Sequence, residues 1–201
     1  MKKKIIDGLI DLGAVKFGSF ELKCGVTSPV YIDLRMIVGS PKLMDQIVSV
    51  FLKLTERLNF DLVAGIPYTA LPMAAVYSSR SQVPMIYARK EVKGYGTKKQ
   101  IEGIFKKGNR VLILDDLITN GLSKFETFEL FEKEGLRVKD VVVLIDRLQG
   151  GGETLAKAGY QLHSLINIHE ILDRSLERGQ IDQPMYQNAR NFIGQTATIA
   201  V

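Results

Sequence analysis

Two adjacent carboxylates and a short polar turn form the part of this sequence best suited to chemistry. Residues 111–114 are four consecutive apolar residues, the length and composition of a strand that is buried on both faces. Asp115 and Asp116 follow at once, then a turn over residues 119–123 and a helical pattern over residues 124–133. Such a turn directs backbone N–H groups and a helix N-terminus at one point, where a phosphate binds. The segment therefore predicts a phosphate cradle, with two acids placed to accept hydrogen bonds from sugar hydroxyls.

A second segment is rich in lysine and arginine. Eight of these residues lie between Arg89 and Arg110, and four glycines interrupt them, which predicts a basic, flexible loop. Such a loop can close over an anion such as pyrophosphate and exclude water. The alternative is a solvated charged loop with no such role. The net charge of +5 also suits nucleic acid, but only Tyr95 and Phe105 are aromatic there, few for a base-stacking platform.

Residues 114–121 resemble the motif of a known family. An apolar run, two acids, two apolar residues and Thr-x-Gly form the segment by which type I phosphoribosyltransferases bind 5-phospho-α-D-ribose 1-diphosphate (PRPP). The alternative is a strand–helix turn of another α/β protein with incidental acids. Four further segments are similar to those of orotate phosphoribosyltransferases, above all to the domain found in bifunctional UMP synthases: residues 20–33, 65–72, 87–99 and 145–151.

The resemblance implies roles for individual residues. It implies that Lys93, Asp115 and Asp116 are catalytic. It implies that PRPP and its phosphates are bound by a larger set: Lys23, Tyr68, Thr69, Arg89, Lys90, Lys93, Tyr95, Asp115, Asp116, Leu117, Ile118, Thr119, Asn120, Gly121, Leu122 and Ser123. For orotate the implied set is Lys23, Tyr31, Ile32, Thr119 and Arg147. The cofactor would be Mg²⁺, held mainly by substrate and water and not directly by protein side chains.

Several of these assignments have simpler alternatives. Tyr31 and Ile32 also suit the ordinary core of a strand, and Arg147 could form a surface ion pair with Asp146. In the family this arginine binds the orotate carboxylate, and the planar guanidinium suits this role because it can donate two parallel hydrogen bonds. Four positions depart from the family pattern: Cys24, Gly94, Asn120 and Leu122. Because the leucine brings no hydroxyl to the cradle, we expect activity with an altered affinity for phosphate.

The rest of the chain supplies elements that would position these residues. Strand patterns occur at residues 17–22, 30–34, 61–65, 84–88, 110–114, 138–146 and 160–166. Helical patterns lie between them, and residues 166–193 read as helical cover. The alternation predicts an α/β fold with a mostly parallel central sheet flanked by helices. The resemblance implies the type I phosphoribosyltransferase fold as a single domain over residues 1–201, with a small hood built from about residues 1–40 and part of the C-terminal region.

Composition and length point to one domain in a reducing compartment. The chain has 201 residues and is 46% hydrophobic, enough for a sizeable core. No apolar stretch is long enough to cross a bilayer, and the N-terminal residues lack the apolar region of a secretory signal. The single cysteine, Cys24, cannot form an internal disulfide. We therefore predict a cytoplasmic protein. His163 and His169 lack metal-ligand spacing, and we predict no metal site there.

Taken together, the motifs predict transfer of the phosphoribosyl group of PRPP to orotate, giving orotidine 5′-monophosphate and pyrophosphate in pyrimidine biosynthesis. The resemblance also implies a homodimer in which loop residues are shared across the interface, and it leaves open a separate orotidine monophosphate decarboxylase as a partner. Two alternatives remain at this stage. One is a phosphoribosyltransferase for another base, and the other is a regulatory protein of the same fold that binds PRPP and nucleic acid.

Overall fold

A computed structural model describes residues 1–21, 25–89 and 100–199 of the chain, with side chains up to residue 196. The strands are β1 Val15–Glu21, β2 Thr27–Ile32, β3 Leu62–Gly65, β4 Met85–Ala88, β5 Ile101–Glu102, β6 Arg110–Ile118, β7 Arg137–Asp146 and β8 Gln161–Asn167. The helices are α1 Lys2–Asp11, α2 Pro41–Thr55, α3 Ala70–Ser81, α4 Leu122–Lys133, α5 Gly151–Lys157, α6 Ile168–Glu177 and α7 Gln183–Ile199, and a 3₁₀ helix spans Leu34–Gly39. None of these helices is both long and apolar enough to cross a membrane.

Six strands form one sheet in the order β5-β4-β3-β6-β7-β8. All neighbouring pairs are parallel except β4 and β5, which pair antiparallel at the edge. The alternating strand and helix patterns are thus confirmed as a mostly parallel sheet. Strands β1 and β2 form a separate antiparallel pair, against which α7 packs through β2. The hood, expected from about residues 1–40 and part of the C-terminal region, stays a prediction.

Alternate residues of the central strands pack into two separate cores, one on each face of the sheet. On β6, Leu112 and Leu114 belong to the larger core, which also includes residues of α1, α2, α6 and α7. Val111 and Ile113 belong to the smaller core, which Phe128 and Phe131 of α4 complete. The period of two along a strand explains this division. It also directs the next odd-numbered residue, Asp115, toward α4.

The structure differs from the predicted boundaries mainly in β6. This strand was expected to end at Leu114, but its pairing with β7 continues to Ile118, which lies opposite Asp146. Because β7 is ten residues long, it offers backbone partners beyond the apolar run, and β6 extends to use them. Asp115 and Asp116 therefore lie in the strand itself and not in the turn. Strand β2 begins at Thr27 and ends at Ile32, whereas residues 30–34 were predicted.

Candidate active site

The loops that carry the predicted motifs meet at the carboxyl ends of the parallel strands. The Ile66 N–H, just after β3, donates to the Leu114 carbonyl of β6 at 3.0 Å. The Arg147 N–H, just after β7, donates to the Ile118 carbonyl at 3.0 Å. Three of the five predicted segments are thus joined by backbone hydrogen bonds. This is the edge at which open α/β sheets bind ligands.

The turn between β6 and α4 has the shape expected of an anion cradle. Gly121 is the N-cap of α4 and has a φ of +80°, a left-handed conformation that favours glycine. Helix α4 begins at Leu122, two residues earlier than the sequence pattern indicates. The Leu122 side chain is 61% exposed, and its N–H donates to the Asn120 Oδ1 at 3.2 Å. The N–H of the leucine that departs from the family pattern is therefore used within the turn, and its side chain is exposed to solvent.

Close contact between two glycine-containing turns joins the cradle to the loop after β7. A Cβ at Gly151 would lie 2.5 Å from Cγ1 of Ile118 and 2.6 Å from the Thr119 carbonyl oxygen. A Cβ at Gly121 would in turn lie 3.3 Å from the Gly151 carbonyl oxygen. Only glycine at position 151 allows this approach without displacing the backbone. The contact holds the loop that carries Arg147 against the end of β6.

Both acids are held by backbone donors, and Asp115 is buried whereas Asp116 is half-buried. Oδ1 of Asp115 accepts from the Asp116 N–H at 2.8 Å, and Oδ1 of Asp116 accepts from the Leu117 N–H at 2.7 Å. Burial, followed by the neighbouring Asp115 charge, raises the pKa of Asp116 to about 7. Asp116 therefore takes up a proton far more readily than a free aspartate does.

Lys124 is a site residue that the sequence analysis did not assign. Its Nζ forms a very short hydrogen bond to Oδ2 of Asp115 and donates to the Leu117 carbonyl at 2.9 Å. The one signal in the sequence was a lysine in the first turn of a helix, where the helix macrodipole disfavours a cation. A lysine at this position predicts a role in the site only when the Asp115 carboxylate of β6 is known to lie beside it.

A cavity of about 800 Å³ opens beside the acid pair. Its wall includes residues of β6 and α4 and of the loops that follow β3 and β4: Pro67, Arg89, Asp115, Asp116, Ser123 and Lys124. Arg89 forms an ion pair with Glu102, and its N–H donates to the Gln100 carbonyl at 2.8 Å. Arg89 thus stands at the base of the predicted basic loop. Its ion pair is partly exposed, and such pairs contribute little stability.

Arg147 is buried, and part of its guanidinium has no hydrogen-bond partner among the described residues. The residue is only 8% exposed, and neither Nε nor Nη2 has a hydrogen-bond partner among the described residues. The alternative of a surface ion pair with Asp146 is therefore wrong: Oδ1 of Asp146 instead accepts from the Leu148 N–H at 2.8 Å. Burial lowers the pKa of the Arg147 guanidinium. Leaving a buried donor unpaired is costly, so this arrangement suits an anionic ligand.

The remaining predicted residues fall into three groups. Tyr68 and Thr69 lie in the loop after β3, where Tyr68 is 63% exposed and the Pro67–Tyr68 peptide bond is cis. Tyr31 and Ile32 lie on β2; Ile32 belongs to the larger core, and the Tyr31 ring centroid is 5.5 Å from that of Phe20. The last group lies outside the described residues: Lys23, Lys90, Lys93 and Tyr95.

Comparisons with known proteins agree with this geometry. A family model described as the phosphoribosyl transferase domain matches residues 36–171. The fold and the site therefore define a type I phosphoribosyltransferase. The orotate phosphoribosyltransferase of Pyrobaculum aerophilum is 36% identical over 192 residues, which are 95% of this chain and 98% of that protein. The chain belongs to the orotate phosphoribosyltransferase family.

Two further matches support the same assignment. The crystal structure of orotate phosphoribosyltransferase from Aeropyrum pernix superposes with a TM-score of 0.77 at 34% identity, covering 89% of this chain and 99% of that one. The uridine 5′-monophosphate synthase of Bos taurus is 42% identical over 198 residues, which are 98% of this chain. The chain spans 41% of the length of that relative. The predicted family and fold are thus confirmed, whereas the roles of single residues stay predictions.

The burial of Asp116 predicts how stability depends on pH. Its pKa is raised from 3.8 to about 7, so the unfolded chain loses this proton at a lower pH than the folded protein does. Stability therefore falls as pH rises through this interval. We expect Asp116→Asn to raise the melting temperature at about pH 8 by roughly 3 °C or more, and to raise it less toward about pH 4.

Thermal unfolding across this pH range measures the effect. Glu56→Gln is the matched control, because Glu56 is an exposed acid at the end of α2. Its melting temperature should follow that of the unmodified protein at every pH. An Asp116→Asn protein that is no more stable than the unmodified protein at the higher pH would contradict the assignment of a buried, destabilising carboxylate.

Proposed function

We propose that this chain transfers the phosphoribosyl group of PRPP to orotate, releasing pyrophosphate and forming orotidine 5′-monophosphate in the pyrimidine pathway. The observation that carries the proposal is the buried guanidinium of Arg147, whose Nε and Nη2 lack partners among the described residues. A guanidinium binds a carboxylate through two parallel hydrogen bonds. Orotate carries such a carboxylate, whereas purine bases do not, which argues against a phosphoribosyltransferase for another base.

The sugar phosphate would bind along the turn between β6 and α4. Backbone N–H groups of this turn and the hydroxyls of Thr119 and Ser123 would hold the 5′-phosphate, aided by the positive end of α4. Asp115 and Asp116 would accept hydrogen bonds from the ribose hydroxyls. The contact of Gly151 with Ile118 and the Thr119 carbonyl sets the spacing between this sugar site and the carboxylate site at Arg147.

In the reaction a ring nitrogen of orotate loses its proton and forms a bond to the anomeric carbon, and the bond from that carbon to pyrophosphate breaks, so that pyrophosphate and a proton are released. The ribose carries positive charge at the transition state. The task of the protein is therefore to align the two substrates and stabilise charge. Arg89 would bind the departing pyrophosphate once it leaves Glu102, together with Lys90, Lys93 and Tyr95 and with Tyr68 and Thr69 of the β3 loop. Lys23, Tyr31 and Ile32 would line the orotate site.

The side chains at the site fit the Mg²⁺ expected for PRPP. No three His, Cys, Asp or Glu side chains of the described residues come together as a metal site. The oxygen donors at the cavity are the carboxylates Asp115 and Asp116, and Asp115 already binds Lys124. This set suits a hard ion that takes most of its ligands from substrate and water. When bound, Mg²⁺ would neutralise charge on the pyrophosphate.

The assembly is also part of the proposal. A homodimer with loop residues shared across the interface would follow the family pattern, and a separate orotidine monophosphate decarboxylase would consume the product. A cytoplasmic location agrees with the single cysteine. The hood would be formed by about residues 1–40 and part of the C-terminal region. Asp7 of α1 supports this grouping, because it accepts from Arg174 of α6 at 2.7 Å.

The activity is tested directly by mixing the protein with PRPP, Mg²⁺ and orotate. We expect the orotate absorbance to fall and pyrophosphate to appear in equal amount, with no turnover when orotate is replaced by adenine. Absence of turnover with orotate would overturn the proposal. If such a protein also bound RNA or DNA tightly and in a salt-sensitive way, the regulatory alternative would be favoured. Turnover with adenine alone would favour a phosphoribosyltransferase for another base.

Replacing Arg147 tests its role in binding orotate. We expect Arg147→Gln to raise the KM for orotate about 100-fold or more, because the carboxylate loses its charged partner. The affinity for ribose 5-phosphate should stay within about twofold, since that ligand carries no carboxylate. The melting temperature should not fall, because the variant removes buried donors that lack partners. Arg57→Gln is the control, because Arg57 is an exposed arginine just after α2. An unchanged KM for orotate would refute the assignment.

The departure at Leu122 generates a further prediction. A hydroxyl at the first residue of α4 would add one donor to the phosphate cradle. We expect Leu122→Thr to bind ribose 5-phosphate about 3- to 10-fold more tightly than the unmodified protein. Leu122→Val is the matched control, because valine has the shape of threonine without the hydroxyl. Isothermal titration calorimetry measures both, and equal affinities of the two variants would show that the position does not contact phosphate.

A further inference from the structure

Lys124 is a buried cation at a position where a helix disfavours one. It is the third residue of α4, and its side chain is only 3% exposed. The first turn of a helix carries partial positive charge, so a lysine there is repelled by the backbone as well as separated from water. A cation in this position requires a strong partner.

The partner comes from the neighbouring strand. Lys124 Nζ binds Oδ2 of Asp115 and also donates to the Leu117 carbonyl at 2.9 Å. The alternation along β6, in which Val111 and Ile113 face the core beneath α4, directs Asp115 toward this lysine. The ion pair therefore follows from the register of the strand. The ion pair joins β6, which carries the two acids, to α4, which begins in the phosphate cradle.

The contacts leave Asp115 with a single orientation. One carboxylate oxygen accepts from the Asp116 N–H at 2.8 Å, and the other accepts from Lys124. A carboxylate has about four lone-pair sites, so each oxygen can still accept one more hydrogen bond. Asp115 and Lys124 both line the cavity beside the cradle. The Asp115 carboxylate thus lies at the cavity as a hydrogen-bond acceptor, and its two contacts hold the side chain in one rotamer.

Stability alone is a weak reason for such a pair. Replacing a buried ion pair by apolar residues of similar volume is often neutral or stabilising. The pair lies at the wall of the cavity and not in either apolar core, which places it where a ligand would profit from a preorganised acceptor.

We propose that Lys124 is a positioning residue for the ribose of the substrate: its ammonium holds the Asp115 carboxylate in one orientation, in which it can accept a hydrogen bond from a ribose hydroxyl. This inference rests on the proposed function, because it takes a ribose phosphate as the ligand of the cavity. It adds a residue to the site that neither the motif nor the comparisons assign. Lys124 itself need not touch the substrate.

The experiment measures the affinity for ribose 5-phosphate by calorimetry, and kcat and KM for PRPP with orotate, in variants of Lys124. We expect Lys124→Met to weaken ribose 5-phosphate binding and to lower kcat/KM for PRPP by about 10- to 100-fold. Lys124→Arg, which keeps the charge, should retain most of the affinity. Lys124→Gln keeps one donor without the charge and should fall between the two. Lys53→Met, an exposed lysine in the last turn of α2, is the control.

A merely structural role would give a different result. It would lower the melting temperature of Lys124→Met while leaving the affinity of the folded protein for ribose 5-phosphate unchanged, and this would overturn the proposal. Failure of both the Met and the Gln variant to fold would likewise assign Lys124 to stability and overturn it. If the unmodified protein does not turn over orotate but loses ribose 5-phosphate affinity in Lys124→Met, the proposed function fails and the positioning role stands.

Discussion

The parallel pairing of β6 with β7 is the constraint on which the site depends. It continues beyond the apolar run to Ile118 and Asp146, and three consequences follow. The two acids lie within a rigid strand, the cradle begins at the edge of the sheet, and Arg147 lies directly beside the end of β6. A pairing that stopped at Leu114 would leave all three on flexible loops, where their distances would vary. A site for two substrates needs those distances to be constant.

The electrostatics of the site reflect the same arrangement. Extending β6 into the sheet buries the acids, which is why the pKa of Asp116 rises and why Asp115 needs Lys124. Extending β7 buries Arg147 with donors that lack partners among the residues that the structure describes. The raised pKa of Asp116 and the buried donors of Arg147 both cost the folded protein free energy, and an anionic ligand would relieve the cost at Arg147. The arrangement of the site thus lowers the stability of the folded protein and favours ligand binding, as is common at functional sites.

Much of the fold and of the site could be predicted from the sequence, because the residue patterns that indicate them are local. The PRPP-binding motif and the alternating strands and helices are both recognised from neighbouring residues. The missed features are those that depend on residues far apart in the chain. The partnership of Asp115 with Lys124 requires the face to which β6 directs each side chain, and the ion pair of Arg89 with Glu102 requires the antiparallel edge strand β5. The predicted end of β6 at Leu114 was wrong because composition does not reveal how far the neighbouring strand continues.

The sequence by itself determined the family, the fold class and the order of the chemical groups, since these depend on residue types at fixed spacing. Only the tertiary structure decided which of those groups are buried, which are paired and which lack a partner. The physical reason is that burial and pairing arise from contacts between separate elements. Arg147 illustrates the difference. Its residue type suggested a carboxylate ligand, but only the packing around the end of β7 showed that two nitrogens of its buried guanidinium have no hydrogen-bond partner among the described residues.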